Sequence, residues 1–295
     1  MTLLAILVRI LANPVANLFQ KQLTQQSAHP ILIITSVHAL LATVCIPYCL
    51  ALRTLDLPAG VWINMIIAAL LAVTGNVLLV YALRETDLSV VGPINAFKSV
   101  VGLALGVVLV GEWPTATGLL GILLIVAGSY FVIDRKVNQP PSNAFVRFFR
   151  ERGIQFRFAA LFLSATEALF LKRAIVLSSP AIVFVLWSVL GLAMALAWAV
   201  ISLRQELADQ LAVLRRTLGR LVWLAVATGA MQLATLLTFR ELQVGYSLAL
   251  FQLSTIVAVL LGRRYFAETR IGERLIGSIV MAAGAALIVV FGAPN

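Results

Sequence analysis

Residues 84–112 read RETDLSVVGPINAFKSVVGLALGVVLVGE, and residues 240–268 read RELQVGYSLALFQLSTIVAVLLGRRYFAE. The second stretch aligns with the first without a gap, and three charges and one glycine coincide in the two. The matched pairs, which extend beyond both stretches, are Arg84-Glu85 with Arg240-Glu241, Ser99 with Thr255, Gly106 with Gly262, Glu112 with Glu268, Gly121 with Gly277 and Ala127-Gly128 with Ala283-Gly284. Chance hydrophobic similarity rarely aligns charges together with glycines, so the sequence predicts an internal repeat.

The composition around this repeat is that of a membrane protein. Of the 295 residues, 61% are hydrophobic and 12% are charged. Soluble domains have about 45–50% apolar and about 25% charged residues, so this chain has too few charges to cover a soluble surface. An ordinary soluble enzyme, a disordered chain and a secreted disulfide scaffold are therefore excluded, and a polytopic membrane protein is predicted.

Ten segments are apolar and long enough to span a bilayer, which requires roughly 20 residues each. They lie at about 3–23, 31–52, 61–83, 88–110, 115–133, 156–177, 180–203, 221–240, 245–262 and 271–292. A shorter match of Leu18-Phe19-x-Lys21 with Leu169-Phe170-x-Lys172 places the start of the second repeat in the sixth segment. We therefore expect an all-α protein of ten transmembrane helices in two five-helix repeats, residues 1–133 and 156–295. A basic amphipathic connection, residues 134–155, joins the repeats, and a second amphipathic segment covers residues 204–220.

Five helices per repeat is an odd number, so the second repeat enters the membrane from the opposite side. Such inverted repeats are common in secondary transporters, where the substrate site lies near the membrane midplane between the halves. Sixteen of the 22 Lys and Arg residues, with Arg157 among them, fall in or beside odd-numbered loops, and four fall in or beside even-numbered ones. The positive-inside rule then places the odd loops in the cytoplasm and both termini outside. Orientation and lipid headgroups thus account for the net charge of +10, and no nucleic-acid partner is expected.

Three ionisable residues within the predicted spans are candidates for function, because charges in a membrane interior are costly. Glu167 is the only carboxylate well inside a span, and it could bind and release a proton during transport; the alternative is a static ion pair with Lys98 or Arg9. Lys98 shares one helix face with Asn95 and Ser99, which favours a cavity wall over a packing seam. The interior balance of Arg9 and Lys98 against Glu167 is +1, which suits a substrate with a carboxylate or phosphate.

Other polar positions extend the candidate site. Asn13 and Asn17 share one stripe of the first span with Arg9, and the alternative for Arg9 is snorkelling to the interface. Gln232 in the eighth span, and Ser254 and Thr255 in the ninth, occupy single helix faces, and packing is the alternative for each. Asn76, Trp187, Thr228 and Thr235 are weaker candidates of the same kind.

No cofactor, metal or catalytic motif is found in the sequence. Cys45 and Cys49 lie four residues apart in an apolar run, where packing is the expected role, and His29 and His38 stand apart from them. Walker, nucleophile-elbow and dinucleotide-binding motifs are absent. We therefore expect neither an enzyme nor a complete primary pump, with no cofactor bound.

The ten spans, the repeat and the segment Glu112-x5-Gly118-x2-Gly121-x6-Gly128 resemble the EamA family of the drug/metabolite transporter superfamily. Gly111-Glu112 is similar to the family's "GE" ending of each repeat, and Glu268 follows Ala267 in the second copy. The resemblance implies metabolite transport by alternating access, with the third, fourth, eighth and ninth spans around the cavity. It supports Asn95, Lys98, Ser99, Gln232, Ser254 and Thr255 as site residues, but many members keep both termini in the cytoplasm, contrary to the charge count.

The leading hypothesis is a secondary transporter of a small polar metabolite (an amino acid, organic acid or phosphorylated compound), with protons as a further partner through Glu167. The alternative is a flippase for an undecaprenyl-phosphate-linked sugar, because Phe19-Gln20-Lys21-Gln22 is similar to a segment of small flippase subunits that move aminoarabinose on that carrier. We expect a multi-pass protein of a bacterial cytoplasmic membrane with lipid contacts. Substrate identity, direction of transport and oligomeric state are left open.

Overall fold

The computed structural model describes residues 2–51, 57–86, 88–111, 113–132, 151–266, 276–277, 279–284 and 286–287. Within these residues there is no strand, and the longer helices are α1 (Thr2–Gln25), α2 (Pro30–Ala51), α3 (Ala59–Glu85), α4 (Leu88–Val110), α5 (Ala116–Val132), α6 (Arg152–Leu177), α7 (Pro180–Ser202), α8 (Leu207–Arg216), α9 (Leu218–Glu241), α10 (Val244–Leu250) and α11 (Ser254–Phe266). The prediction of an all-α protein is confirmed.

Six of the described helical stretches are long and apolar enough to cross a membrane. They are Thr2–Gln25, Pro30–Tyr48, Ala59–Glu85, Pro180–Ser202, Leu218–Glu241 and Val244–Phe266. Shorter apolar helices cover Phe97–Leu109 and Ala116–Gly128. Together they make this a multi-pass membrane protein. Helix α6 is less apolar, because it carries several charged residues, of which Arg157 and Glu167 are buried.

Local sequence explains several helix boundaries. Helix α7 begins after Ser179, whose side chain accepts a hydrogen bond from the Ile182 amide, and Pro180 occupies the first turn, where no backbone donor is needed. The predicted span at 245–262 is broken into α10 and α11 by a 3₁₀ turn, Phe251–Leu253. The amphipathic segment at 204–220 contains α8, as predicted. The predicted connection at 134–155 and the tenth span at 271–292 lie largely outside the described residues.

The halves of the chain are interleaved. The most extensive helix pairs are α3 with α6 and α1 with α9, and α2 packs against α7. Each of these pairs joins a helix of the first half to one of the second. A single large core, which includes Ala16, Met65, Leu169 and Phe239, runs through these contacts. The space between the paired helices therefore belongs to both halves.

Two lysines bind the carbonyl ends of helices. Lys21 of α1 donates to the carbonyl oxygen of Thr86, the residue that follows α3, over 3.2 Å. Lys172 of α6 donates over 3.1 Å to the carbonyl oxygen of Leu242, the residue that follows α9, and also to that of Phe239. A cation at the carboxyl end of a helix satisfies free carbonyl oxygens and the negative end of the helix dipole.

Glycines allow α5 to approach the helical residues 276–284 closely. A Cβ atom at Gly128 would lie 2.6 Å from the carbonyl oxygen of Gly277, and one at Gly284 would lie 2.5 Å from that of Gly121. Both distances are shorter than any side chain tolerates, so the two backbones are in direct contact. The contact is reciprocal, because each helical segment contributes one glycine that faces the carbonyl oxygen of a glycine in the other segment.

Candidate functional site

A cavity of about 100 Å³ lies between α1, α3, α4, α6, α7, α9, α10 and α11. This volume is several times the roughly 10–15 Å³ of probe space that one water molecule requires. Its polar lining is formed by Arg9, Asn13, Asn17, Gln20, Asn76, Lys98, Arg157, Ser164, Glu167, Trp187, Thr228, Gln232, Thr235, Ser254 and Thr255. Both halves of the chain therefore contribute polar side chains to one cavity.

The structure brings together most of the residues singled out in the sequence. Those that line the cavity are Arg9, Asn13, Asn17, Lys98, Glu167, Gln232, Ser254 and Thr255. Ser99 is fully buried on α4 and is not among the lining residues. The side chain of Asn95 lies outside the described residues, as do Glu112 and Glu268. Whether these groups bind a substrate stays a prediction.

One wall of the cavity joins α1 to the second half. Arg9 Nε donates a hydrogen bond to Thr235 Oγ1 over 2.8 Å, and the guanidinium carbon lies 4.9 Å from the centroid of the Phe251 ring. Asn13 Nδ2 donates to Ser254 Oγ over 3.3 Å. Arg9 is 9% exposed, so it does not snorkel to the interface but faces the protein interior.

Glu167 is held by an aromatic neighbour. The indole Nε1–H of Trp187 donates to Glu167 Oε1 over 3.0 Å, and the buried His38 ring packs 4.4 Å from Trp187, centroid to centroid. Lys98 and Arg9 interact with Glu167 electrostatically. Glu167 is thus anchored by an uncharged donor, whereas the sequence suggested a direct ion pair as the alternative to proton exchange. Its role in proton coupling stays a prediction.

Arg157 is a cavity residue that the sequence analysis missed. It was counted among loop cations, because the sixth span was expected to begin at residue 156. Helix α6 begins at Arg152, which places Arg157 in its second turn, where it is 5% exposed and lines the cavity. Its spacing of seven residues from Ser164 is two helical turns, and this shared face is the signal that could have identified it.

Arg157 also changes the charge of the interior. Among the lining residues that the structure describes, three are cations (Arg9, Lys98 and Arg157) and one, Glu167, is an anion. Arg157 is therefore a third cation beside the two that the sequence placed in the interior. Burial of like charges in a poorly solvated space is unfavourable unless something compensates them.

Unpaired polar atoms cluster around the same space. Of the seven buried side-chain atoms without a hydrogen-bond partner in the described part of the chain, five belong to lining residues: Arg9 Nη1, Gln20 Oε1, Thr228 Oγ1, Gln232 Nε2 and Thr255 Oγ1. A buried polar group without a partner costs about 1–3 kcal/mol. The clustering indicates that water or a ligand supplies the missing hydrogen bonds. Within the described residues, no group of three or more His, Cys, Asp or Glu side chains could hold a metal ion.

Comparisons with known proteins agree with this architecture. Residues 2–134 match the family model described as the EamA-like transporter family. No curated protein matches the chain. Among 28 matching chains of solved structures, one crystal structure of a protein covers 97% of this chain and 96% of its own, with a TM-score of 0.65 and 15% sequence identity. At that identity the likeness shows a shared fold.

Proposed function

We propose that the whole chain, of which residues 2–134 match the EamA-like transporter family, is a secondary transporter that moves a small polar solute by alternating access. The observation that carries this proposal is the cavity between the halves, with five unpaired buried polar atoms on its wall. Polar groups at a packed helix interface are hydrogen-bonded to each other, whereas a transport site has polar groups that are free to bind a solute.

The proposal includes ten spans in two inverted repeats. Lys21 and Lys172 are partners in the sequence match, and so are the segments at Arg84-Glu85 and Arg240-Glu241 that precede Thr86 and Leu242. Each lysine thus binds the carbonyl at the matched helix end. The reciprocal glycine contact joins two further matched pairs, Gly121 with Gly277 and Gly128 with Gly284. Reciprocal contacts of this kind are what a pseudo-two-fold axis requires.

Alternating access then follows from the arrangement of the contacts. The helix pairs α1–α9 and α3–α6 both contribute to the lining of the cavity, and each pair joins the two halves. The lysine contacts lie at the carboxyl ends of α3 and α9. Rocking of one half against the other would open the cavity at one end while the contacts at the other end persist.

Cysteine accessibility tests this proposal without knowledge of the solute. In a Cys45→Ala, Cys49→Ala background, Asn17→Cys and Thr228→Cys place single thiols on the cavity wall, one in each half. We expect a membrane-impermeant maleimide to label both thiols in right-side-out vesicles and also in inverted vesicles. Leu11→Cys is the matched control on α1, because Leu11 is 57% exposed on the outside of the helix bundle and would face lipid. Labelling of the cavity thiols from one side only, or from neither side, would contradict alternating access.

A further inference from the structure

Helix α8 breaks the match between the two halves of the chain. The connection from α7 to α9, residues 203–217, contains α8 and is more than twice as long as the corresponding connection from α2 to α3, residues 52–58. The shorter connection has too few residues for a helix of 10 residues, the length of α8, so α8 belongs to the second half alone. A contact that α8 makes therefore has no equivalent at the opposite end of an inverted-repeat protein.

Gln210 of α8 joins the second half to the turn between α1 and α2. Its Oε1 accepts a hydrogen bond from the backbone N–H of His29 over 2.9 Å, and its Nε2 donates to the carbonyl oxygen of Ser27 over 3.3 Å. These two hydrogen bonds are called the Gln210 contact below. Leu214 of the same helix is buried in the main core, which holds α8 against the other helices.

The turn that Gln210 binds has a defined conformation. Ser27 has a φ of 64°, in the left-handed region where glycine is usual at the end of a helix. The ring Nε2 of His29 lies 3.4 Å from the hydroxyl oxygen of Tyr81 on α3. The Gln210 contact therefore binds α8 to a corner at which α1, α2 and α3 meet.

This corner lies past the part of α1 that lines the cavity. Gln20 is the last lining residue of α1 among those that the structure describes, and the helix continues to Gln25, a rise of about 7–8 Å. On α3, the last such residue is Leu79, which precedes Tyr81. When two halves rock, contacts between them at one end of the cavity must separate as that end opens.

We propose that the Gln210 contact holds the cavity closed at the end where the α1–α2 turn lies, and that it separates each time this end opens. The proposal rests on the transport function proposed above and adds a residue that controls access. A fully symmetric pair of repeats would populate the two access states equally. Because α8 is present in one half alone, the Gln210 contact favours the state that is closed at the α8 end.

The rates of thiol labelling from the two sides of the membrane test this proposal. Asn17→Cys, in the Cys45→Ala, Cys49→Ala background, supplies the thiol on the cavity wall. In a separate sample, Arg216→Cys, at an exposed position of α8, shows which vesicle orientation presents α8 to a membrane-impermeant maleimide. Labelling of the cavity thiol from each side is proportional to the fraction of molecules open to that side. The ratio of the α8-side rate to the opposite rate therefore follows the equilibrium between the access states.

Gln210→Met keeps the length of the side chain and removes both hydrogen bonds. We expect the labelling ratio to rise about fivefold to tenfold, because the state closed at the α8 end loses two hydrogen bonds. Gln205→Met is the matched control and should leave the ratio unchanged, since Gln205 is exposed in the same connection. Ser27→Gly should also leave it unchanged, because glycine adopts the left-handed conformation readily and keeps the carbonyl that Gln210 binds. Thermal unfolding in detergent verifies that each variant is folded.

The outcomes separate this inference from the function on which it rests. If the cavity thiol is labelled from both sides and the ratio is the same in Gln210→Met as in Gln205→Met, alternating access stands and the role of the Gln210 contact is wrong. An equal rise in Gln210→Met and Ser27→Gly would assign the effect to the turn and would also overturn the proposal. Labelling from one side alone in every variant would contradict both the Gln210 contact and alternating access.

Discussion

Trp187 shows how one residue connects the cavity to the helix packing behind it. Its indole N–H faces the cavity and binds Glu167, while its ring packs on His38 of α2. The Cβ position of Gly191, one turn further along α7, faces the His38 ring at a distance that only glycine allows. The orientation of Glu167 is therefore set by packing between α2 and α7.

Trp187→Phe keeps the ring stacking but removes the donor to Glu167. Loss of a buried hydrogen bond to a carboxylate should lower the free energy of unfolding by about 1–3 kcal/mol, which thermal unfolding in detergent would register as a lower midpoint. Trp198→Phe, the same change on the outer side of α7, is the control and should have little effect. In a Glu167→Gln background the effect of Trp187→Phe should shrink; equal effects in both backgrounds would show that the hydrogen bond contributes nothing.

At the scale of single residues, the sequence identified those cavity residues whose burial in a membrane is unfavourable wherever the helix packs. Lys98 and Glu167 stand in the middle of apolar segments, where any charge is expensive, and both line the cavity. Arg157 was not identified as a cavity residue, because it lies near the end of an apolar segment, where a lysine or arginine side chain usually reaches water. Only the position of the first turn of α6 distinguishes an arginine that reaches water from one that lines the cavity.

Among the helices, α3 and α9 have the same kind of contact at their carboxyl ends. In each case, a backbone carbonyl at the helix end accepts a hydrogen bond from a lysine of a different helix, Lys21 on α1 or Lys172 on α6. Lys21 also lies 4.7 Å from the centroid of the Phe266 ring, which ties the end of α11 to the same place. These lysines therefore hold α1 to α3 and α6 to α9 within each half.

Lys21→Met and Lys172→Met keep much of each apolar stem and remove the ammonium. Because each leaves a helix end with unpaired carbonyls, we expect each variant to lose about 1–3 kcal/mol in the free energy of unfolding, with a lower thermal midpoint in detergent. Lys→Arg at either position should restore much of the loss. Arg204→Met, at an exposed position, is the control. A midpoint as high as that of the unmodified protein in both variants would show that the lysines contribute no stability.

At the scale of the whole molecule, the contact between α5 and the helical residues near 277–284 joins the end of the first half of the chain to the second half. Gly128 and Gly284 each face a backbone carbonyl across this contact. The buried Met281 and Ile125 fill the space beside them. Close backbone contact of this kind depends on the absence of a side chain at both positions.

Gly128→Ala and Gly284→Ala should each push the two segments apart. Overpacking of this kind costs about 1–3 kcal/mol, so the thermal midpoint should fall in both variants. Gly219→Ala is the matched control, because nothing lies within 4 Å of its Cβ position. Similar losses at Gly128 and Gly284 would agree with a pseudo-symmetric contact. A loss at one position alone would count against the symmetry.

The sequence by itself determined the class of this protein. Its apolar composition and the lengths of its apolar segments indicate that the chain lies in a membrane. The alignment of charges and glycines predicts an internal repeat. Both features can be read from the sequence without knowledge of the fold. The tertiary structure alone decided the cavity: the donation from Arg9 to Thr235 spans 226 residues of sequence, and Arg157 joins it from a third helix. Periodicity assigns a residue to a face of its own helix, but the charge of an enclosed space depends on which faces meet, and that is set by the packing of all the helices together.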